Sequence, residues 1–416
     1  HGDHHVAIVK GDIKEDDDLL PLLGTTNQFI PPFSLLSLED DPKRHLLRSK
    51  KYAEARYLQN PIPHSVKPTN KPARIRIGYF SADFREHPVG YLIANVIKQH
   101  NRDEFEIFAY SLVDNKDDEL QKQFKKSFDV FNDVSKISDK EVALLSRNDN
   151  IDIAIDLTGY TENSRTGIFA YRAAPIQVNY LGYPGTMGAN FIDYMITDQN
   201  LLPPKNQKFI SEKPIYMPNC VNVIDVNIPI AKKVPSKTEL GLPEKGFIFC
   251  AINNSYKISP IEFNIWMRLL KGKEDSVLWL LARNKWVKKN LIKEARVRDI
   301  NPSRLIFQSP MVTDFKSQSN YLAQFKHADL YLDTFIYGAG STANNALLTG
   351  LPVLTKAGKG LTTRMAATYL NALGLPELIT YTNNEYENLA LELCNKPKKL
   401  KSIKTKLLEK LNTTPL

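Results

Sequence analysis

The stretch DTFIYGAGSTANNALLTGLPVLT, residues 333–355, joins two apolar runs through a glycine-containing turn and a helix-like segment. The run ADLYLDT, which overlaps its start, is typical of a β-strand, and PVLT at its end is typical of the next strand. A strand that ends in a tight turn and leads directly into a helix is the repeating unit of parallel α/β sheets. The stretch therefore predicts the fold class, and the same pattern recurs along the chain.

Two series of β-type runs alternate with helix-like segments. The first series consists of RIRIGYF (74–80), FEIFAY (105–110), IDIAIDL (151–157), PIQVNYLGYP (175–184), YMITDQ (194–199) and KPIYMP (213–218). The second series consists of FIFCAI (247–252), SVLWLLA (276–282), SRLIFQ (303–308), ADLYLDT (328–334) and PVLT (352–355). Each series predicts a doubly wound parallel sheet. Two such units facing each other are predicted to form a ligand cleft at the carboxyl ends of their strands.

These patterns predict a division of the chain into four parts. We expect an N-terminal helical segment and linker over 1–72, a first Rossmann-like lobe over 73–235, a second over 236–395, and a C-terminal helix over 396–416. In the first part, residues 37–57 have the pattern of a helix that Asp40 or Asp41 can cap, with Pro42 in its first turn.

The composition is that of an ordinary globular protein and excludes several classes. The 416 residues are too many for one compact core, and no apolar stretch is long enough to cross a bilayer. The N-terminus lacks the pattern of a secretory signal. The three cysteines are far apart and odd in number, which indicates buried thiols in a reducing compartment. We therefore expect a cytoplasmic protein.

The net charge of +9 raises the question of a nucleic-acid partner. The lysines cluster on helix-like segments, 284–298 and 396–410, without the interleaved aromatic residues that stacking platforms require. We interpret these segments as solvated helix faces and expect no nucleic-acid partner. A weak preference for acidic ligands remains open.

Three residues lie where chemistry is expected. Ser341 follows a strand and a YGAG turn, so it can cap a helix whose first turn offers N–H groups to an anion such as phosphate. Lys257 follows the strand FIFCAI and can neutralise a diphosphate leaving group. His87 precedes Pro88 at a predicted helix start and can serve as a general base. The plainer alternatives are a turn that needs glycine for its dihedral angles and a surface lysine.

Two further glycine-containing loops follow strands of the first series, and each is weak as a functional signal. They are DLTGYTENSR (156–165) and LGYPGTMG (181–188). The sequence contains no Ser-His-Asp elbow, no Walker loop and no G-x-G-x-x-G after its first strand. A carboxylate pair that would hold a metal–diphosphate is likewise unsupported.

Taken in order, these segments resemble the catalytic region of the protein O-linked N-acetylglucosamine transferases. The segments that carry the resemblance include GYFSADFREHPVGYL, DLTGYTENSR, LGYPGTMGANFIDYMITDQ, INNSYKISP, ADLYLDT and GSTANNALLTGLPVLT. The match extends from about Arg74 to about Lys396. The resemblance implies two Rossmann-like lobes in the GT-B arrangement, with a UDP-sugar as donor, inversion at the anomeric carbon and no metal or other cofactor. It also implies Ser or Thr hydroxyls of proteins as acceptors, and tetratricopeptide repeats preceding this region.

The resemblance also assigns roles to individual residues. Lys257 corresponds to the lysine that binds the diphosphate, and His87 to the active-site histidine near the acceptor. The resemblance places the donor at Asn254, Tyr321, Gly338, Gly340, Ser341, Thr342 and Asn345. It places the acceptor beside the loops that contain Tyr160, Thr161, Pro184, Gly185 and Thr186.

Three positions depart from the family pattern. Asn345 stands where an aspartate usually binds the donor ribose, Gly340 replaces a histidine of the animal enzymes, and Tyr321 stands where many members have a histidine. The identity of the sugar and nucleotide therefore stays open at this point. The alternatives are a GT-B enzyme with another sugar nucleotide or a non-protein acceptor, and a catalytically silent nucleotide-sugar-binding module.

Overall fold

The computed structural model describes Leu20 and residues 23–25, 30–62, 73–114, 118–223, 228–308 and 318–413. Its contacts divide the chain into two compact units. In one, which we call the N-terminal unit, the main body is Asp41–Asp225. In the other, the C-terminal unit, residues Ser37–Asp40 join the body formed from Val226 onward.

The N-terminal unit contains a seven-stranded parallel sheet. Its strands are β1 (Ile75–Ser81), β2 (Phe105–Ser111), β3 (Val130–Asp133), β4 (Ile153–Asp156), β5 (Ile176–Asn179), β6 (Tyr194–Asp198) and β7 (Lys213–Met217). Its helices are α1 (Pro32–Leu35), α2 (Pro42–Arg56), α3 (Pro88–Gln99), α4 (Glu119–Ser127), α5 (Asp139–Asn148) and α6 (Gly167–Ala170), with a 3-10 helix at Pro204–Phe209. The strand order is β3-β2-β1-β4-β5-β6-β7, and Ile77 of β1 pairs with Ile107 on one side and Ile153 on the other.

The C-terminal unit contains a six-stranded parallel sheet. Its strands are β8 (Phe247–Ala251), β9 (Ser276–Leu280), β10 (Leu305–Phe307), β11 (Leu330–Leu332), β12 (Val353–Lys356) and β13 (Ile379–Thr380). Its helices are α7 (Pro260–Gly272), α8 (Lys285–Val297), α9 (Gln318–Ala323), α10 (Ser341–Leu348), α11 (Met365–Ala372), α12 (Asn383–Asn395) and α13 (Pro397–Thr413). The 3-10 turns of this unit lie at Ser255–Lys257, Pro302–Arg304, Gln324–His327, Thr362–Arg364 and Pro376–Leu378. The strand order is β10-β9-β8-β11-β12-β13.

The central strands of both sheets are buried on both faces, which explains their continuous apolar sequences. In the N-terminal unit, Phe80 of β1 stacks on Tyr110 of β2 at 4.4 Å between ring centroids, and both side chains are fully buried. In the C-terminal unit, Trp279 of β9 and Trp266 of α7 are completely inaccessible to solvent. Burying side chains of this size stabilises each core by roughly 1.5–3 kcal/mol per residue.

The predicted α/β class with two doubly wound sheets is confirmed. In both sheets the chain starts at a central strand, winds to one edge, and returns beside the first strand to wind to the other edge. This is the Rossmann-like order, and it creates a switch point between β1 and β4 and another between β8 and β11.

The helix predicted within residues 37–57 is present as Pro42–Arg56, with Asp41 as its N-cap and Pro42 in its first turn, as one of the two predicted alternatives has it. The Asp41 carboxylate accepts from the Arg44 amide at 3.0 Å, and only the expected start at Ser37 is wrong. Proline disfavours helical geometry in the residue before it, so the helix cannot extend upstream. Strand β3 was not predicted because its residues are only partly buried, and β13 was not predicted because it has two residues.

The state of the cysteines and the character of the helices bear on two further expectations. Cys220, Cys250 and Cys394 are buried free thiols, as predicted. Among the residues that the structure describes, no helix combines the length and the apolar character needed to cross a membrane.

Candidate functional site

Two loops meet at the switch point of the C-terminal sheet. One leaves β8 and contains Lys257, and the other leaves β11 and runs from Asp333 to Gly340. Because β8 and β11 are neighbours whose helical connections leave toward opposite edges of the sheet, their carboxyl ends leave space for a ligand.

The amine of Lys257 joins these two loops. Its Nζ donates a hydrogen bond to the Gly338 carbonyl at 3.2 Å and lies 4.0 Å from the centre of the Tyr337 ring. Burial lowers the pKa of Lys257 to about 8, although the nearby Asp333 carboxylate favours the charged form. Most of the amine is therefore still charged at neutral pH, so it is a cation with little hydration to lose when it meets an anion.

Asp333 fixes the shape of the loop after β11. Its Oδ1 accepts from the amides of Thr334 at 2.8 Å and Ala339 at 2.7 Å, and its Oδ2 accepts from the Thr355 hydroxyl at 2.7 Å. Burial raises the pKa of Asp333 to about 6, against the opposing effect of these hydrogen bonds and of Lys257. These hydrogen bonds tie both ends of the loop, at Thr334 and Ala339, and strand β12 to one carboxylate.

Helix α10 begins where this loop ends. Ser341 is the first helical residue and Gly340 is the N-cap, so the prediction that Ser341 caps the helix is wrong. Amides in a first helical turn have no intrahelical acceptor, and the helix dipole makes this end positive. Ser341, Thr342 and Asn345 are partly exposed on this helix, whereas Ala343 is buried.

Two other predicted donor residues lie close to β8. Asn254 immediately precedes the 3-10 turn of Lys257, is partly exposed, and bonds to the Tyr256 hydroxyl. Tyr321 lies on α9, and its ring packs edge-to-face with the ring of Phe325 at 5.3 Å between the ring centroids. Burial raises the pKa of Tyr321. The Cys250 thiol of β8 contributes to that rise, which places Tyr321 near the same strand.

In the N-terminal unit, His87 lies at the corresponding switch point. It is the N-cap of α3, and its Nδ1 accepts from the Val89 amide at 3.3 Å. The same Nδ1 lies 3.3 Å from Oδ2 of Asp83, whose other oxygen accepts from Arg85 at 3.0 Å. Burial lowers the pKa of His87, while Asp83 opposes that change. The ring is therefore mostly neutral at neutral pH.

One nitrogen cannot both accept from Val89 and donate to Asp83. With the proton on Nδ1, the ring donates to the Asp83 carboxylate and Nε2 becomes the basic nitrogen. With the proton on Nε2, Nδ1 caps the helix but its lone pair faces a carboxylate. A general base at Nε2 requires the first tautomer, whereas the observed cap on α3 requires the second.

The loops after β4 and β5 pack against each other in the same unit. The Tyr160 hydroxyl donates to the Met187 carbonyl at 2.7 Å, and the Thr186 hydroxyl donates to the buried Glu212 at 2.6 Å. Thr161 bonds to the Thr158 carbonyl at 2.8 Å. The side chains of Tyr160 and Thr186 are thus engaged inside the protein. Thr161 and Pro184 are partly exposed, and Gly185 is buried.

Sequence reasoning missed three residues that shape these places: Asp83, Asp333 and Tyr337. Asp83 could have been noticed because it stands four residues before His87. Asp333 could have been noticed as a carboxylate directly after a fully apolar strand. No sequence signal indicates that the Tyr337 ring lies against the lysine.

The comparisons with known proteins agree on one family. The family model described as glycosyl transferase family 41 matches residues 56–228 and 224–416. The chain is 34% identical, over 93% of its length, to the probable UDP-N-acetylglucosamine–peptide N-acetylglucosaminyltransferase SEC of Arabidopsis thaliana. It is 26% identical, over 77% of its length, to the UDP-N-acetylglucosamine–peptide N-acetylglucosaminyltransferase of Caenorhabditis elegans. The chain covers only 41% and 37% of these two relatives, respectively.

A solved structure supports the same grouping. The structure of a mutant O-GlcNAc transferase from Thermobaculum terrenum matches with a TM-score of 0.82 and 29% identity. The match covers 92% of this chain and 73% of that one. Together with the two Rossmann-like sheets, this similarity confirms the predicted GT-B class of fold.

Proposed function

Because the chain belongs to glycosyl transferase family 41, we propose that it transfers N-acetylglucosamine from UDP-N-acetylglucosamine to Ser or Thr hydroxyls of proteins. The names of the Arabidopsis and Caenorhabditis relatives support this donor and a peptide acceptor. One observation within this chain carries the proposal. The Lys257 amine lies 3.2 Å from the carbonyl of Gly338, and Gly338 stands three residues before the first residue of α10.

The proposed roles of the C-terminal unit follow from charge. The diphosphate of the donor would sit against Lys257 and the first-turn amides of α10, including those of Ser341 and Thr342. As the bond to the sugar breaks, negative charge grows on the departing UDP, and a partly desolvated ammonium group stabilises it more strongly than water does. An anion at this place would also raise the pKa of Lys257 from about 8, so the charged form is selected by the substrate itself.

In the proposed reaction the acceptor hydroxyl attacks the anomeric carbon from the face opposite UDP, which inverts that centre. The hydroxyl loses its proton, the new C–O bond forms, and the old C–O bond leaves its electron pair on UDP. His87 is proposed to receive the proton at Nε2, with Asp83 holding the Nδ1 proton at 3.3 Å. We propose that no metal takes part, since Lys257 and the helix terminus supply the positive charge.

The remaining predicted residues are proposed to set donor preference. Asn345 would accept a hydrogen bond from the donor ribose, without the charge that an aspartate would add. Asn254, Tyr321, Gly338 and Gly340 would line the donor, and the loops that contain Tyr160, Thr161, Pro184, Gly185 and Thr186 would face the acceptor.

A transfer assay tests this proposal. The purified protein is incubated with a Ser/Thr-containing peptide library in four parallel reactions. Each reaction contains one donor: UDP-N-acetylglucosamine, UDP-glucose, GDP-fucose or a dTDP-sugar. We expect peptide modification with UDP-N-acetylglucosamine, and unchanged activity after addition of EDTA. Transfer from another donor alone would contradict the proposed sugar. Binding without transfer or hydrolysis of any donor would contradict enzymatic function.

A further inference from the structure

Asp40 binds a loop that lies more than three hundred residues away in the sequence. Its Oδ1 accepts from the Gly360 amide at 2.7 Å, and its Oδ2 accepts from the Lys359 amide at 2.7 Å. Both bonds go from backbone N–H groups to a carboxylate, which makes them stronger than bonds between neutral groups. A side chain at Gly358 would overlap the Asp40 carboxylate, so glycine is needed there for the close approach.

The chain changes units directly after this contact. Residues Ser37–Asp40 pack with the C-terminal unit, whereas Asp41 packs with the N-terminal unit and caps α2. Two adjacent aspartates therefore serve different units. Nothing in the sequence around Asp40 requires it for a helix, since the helix begins two residues later and has its own cap.

The loop that Asp40 holds, residues 358–364, supports the loop after β11. The Thr362 hydroxyl donates to the Ile336 carbonyl at 3.0 Å, and the Gly338 amide donates to the Thr362 carbonyl at 3.0 Å. Gly338 is the residue whose carbonyl accepts from Lys257. Hydrogen bonds therefore run from Asp40 through residues 358–364 to the loop that contacts the lysine.

A second connection is electrostatic. Burial lowers the pKa of Lys356, and the carboxylates of Glu262 and, to a smaller extent, Asp40 oppose that change by favouring the charged amine. The Lys356 amine lies 4.1 Å from the centre of the Phe335 ring, which belongs to the same loop after β11. Both connections end in the segment that precedes α10.

We propose that Asp40 is a positioning residue for the diphosphate end of the donor site. By holding residues 358–364, it keeps the Gly338 carbonyl, and with it Lys257 and the start of α10, in the geometry that receives the anion. This inference rests on the proposed function for the identity of the anion. The link between Asp40 and residues 336–340 can be tested without any ligand.

The experiment uses Asp40→Asn, with Asp41→Asn as the matched control. The control changes the neighbouring aspartate in the same way, and asparagine is an equally good N-cap for α2. Hydrogen exchange of residues 336–340 and 358–364 is measured without ligand and with saturating UDP. The UDP dissociation constant and the melting temperature are measured for the same samples. Gly358→Ala is a second variant that leaves Asp40 unchanged, because the added methyl group would displace the Asp40 carboxylate from the loop.

We expect Asp40→Asn and Gly358→Ala to speed exchange in both segments and to weaken UDP binding about tenfold, the usual effect of losing such hydrogen bonds. Saturating UDP should restore protection at 336–340. Asp41→Asn should change neither the exchange rates of the two segments nor the UDP dissociation constant. A merely structural role would lower the melting temperature and leave the UDP affinity of the folded protein unchanged, and that result would overturn the proposal.

The two proposals fail in different ways. If the unaltered protein does not bind UDP, the proposed function is wrong, and the exchange of residues 336–340 in the absence of ligand still decides the Asp40 link. If the unaltered protein binds UDP and exchange in Asp40→Asn changes only at residues 359 and 360, the positioning role is wrong and the proposed function stands.

Discussion

Strands β4 and β11 occupy the same place in their respective sheets. The buried Asp156 is the last residue of β4, and the buried Asp333 directly follows β11. Asp156 accepts from the amides of Thr158 and Gly159, both at 2.9 Å, and Asp333 accepts from those of Thr334 and Ala339. Burial raises the pKa of each carboxyl to about 6. At both switch points a carboxylate oxygen that accepts from two backbone amides therefore stiffens the loop, although the amides lie two and three residues after Asp156 but one and six residues after Asp333.

The difference lies in what the neighbouring loop contributes. In the C-terminal unit, Lys257 supplies a cation near Asp333, and the Thr355 hydroxyl donates to its second oxygen. In the N-terminal unit, Oδ2 of Asp156 has no hydrogen-bond partner within the described part of the chain, and the neighbouring loop supplies His87 with Asp83 instead. In the proposed reaction, the C-terminal sheet would therefore bind an anion and the N-terminal sheet would position the residue that accepts a proton.

The largest expected effect is at the cation. Lys257→Ala should lower turnover by roughly a thousandfold, because the departing diphosphate loses its charge partner. Lys271→Ala is the matched control, since that lysine is exposed on α7 and pairs with Asp299 at 3.5 Å. Steady-state kinetics with UDP-N-acetylglucosamine measures both. Equal rates for the two variants would remove Lys257 from the mechanism.

At the other switch point, His87→Asn should lower turnover by about a hundredfold, because asparagine can cap α3 but cannot take a proton. His100→Asn, at the far end of the same helix, is the control. It loses the 2.8 Å contact with Tyr79 and should affect stability, not turnover. If the melting temperature of His87→Asn fell below the assay temperature, the loss of turnover would reflect unfolding and would indicate a structural role.

The third prediction concerns pH. Lys257 must be charged to act, so kcat/KM should fall as pH rises through about 8, the pKa of its amine. Asp333 favours the charged lysine, so Asp333→Asn should move this fall to lower pH. The pH profile measures the shift. An unchanged profile would mean that Asp333 only shapes the loop.

The smallest expected effect is on stability. The pKa of Asp156 is about 6 in the folded protein, above its ordinary 3.8, so its stabilising contribution is present below pH 3.8 and is lost as pH rises through 6. Asp156→Asn removes an unpaired buried charge at pH 8 and should raise the free energy of unfolding there by about 1–3 kcal/mol. Urea unfolding of both proteins at pH 8 and pH 4.5 measures this change in the free energy of unfolding. We expect a smaller increase at pH 4.5 than at pH 8.

An equal change at both pH values would show that Asp156 does not titrate as described. Asp333→Asn provides the contrast, because it leaves the partly desolvated Lys257 without its counter-charge. We expect no gain at pH 8 from that variant, and a gain as large as that of Asp156→Asn would contradict the distinction between the two switch points.

Much of the fold follows from the sequence. Fully buried parallel strands are nearly continuous apolar runs, so eleven of the strands were predicted within a few residues. β3 was missed because its residues are only partly buried, and β13 because it has two residues, whereas the edge strands β7 and β10 were predicted. The helix start at Pro42 depends on which of two adjacent aspartates is the cap, and local sequence does not distinguish them.

The site was less predictable than the fold. Lys257 and Ser341 could be selected because each follows a strand of one sheet, and carboxyl ends of parallel strands meet at one edge. Asp333, Tyr337 and Asp40 act through contacts that depend on loop geometry. The partner of Asp40 lies more than three hundred residues away, so no local pattern indicates it.

Calorimetric titration of UDP at pH 8, in two buffers with different ionisation enthalpies, tests the central claim most directly. If the diphosphate binds at Lys257, binding raises a pKa of about 8 and the complex takes up a substantial fraction of a proton. Lys257→Ala should bind UDP more weakly and lose that proton uptake, whereas Lys271→Ala should retain both. Unchanged affinity and proton uptake in Lys257→Ala would contradict the account.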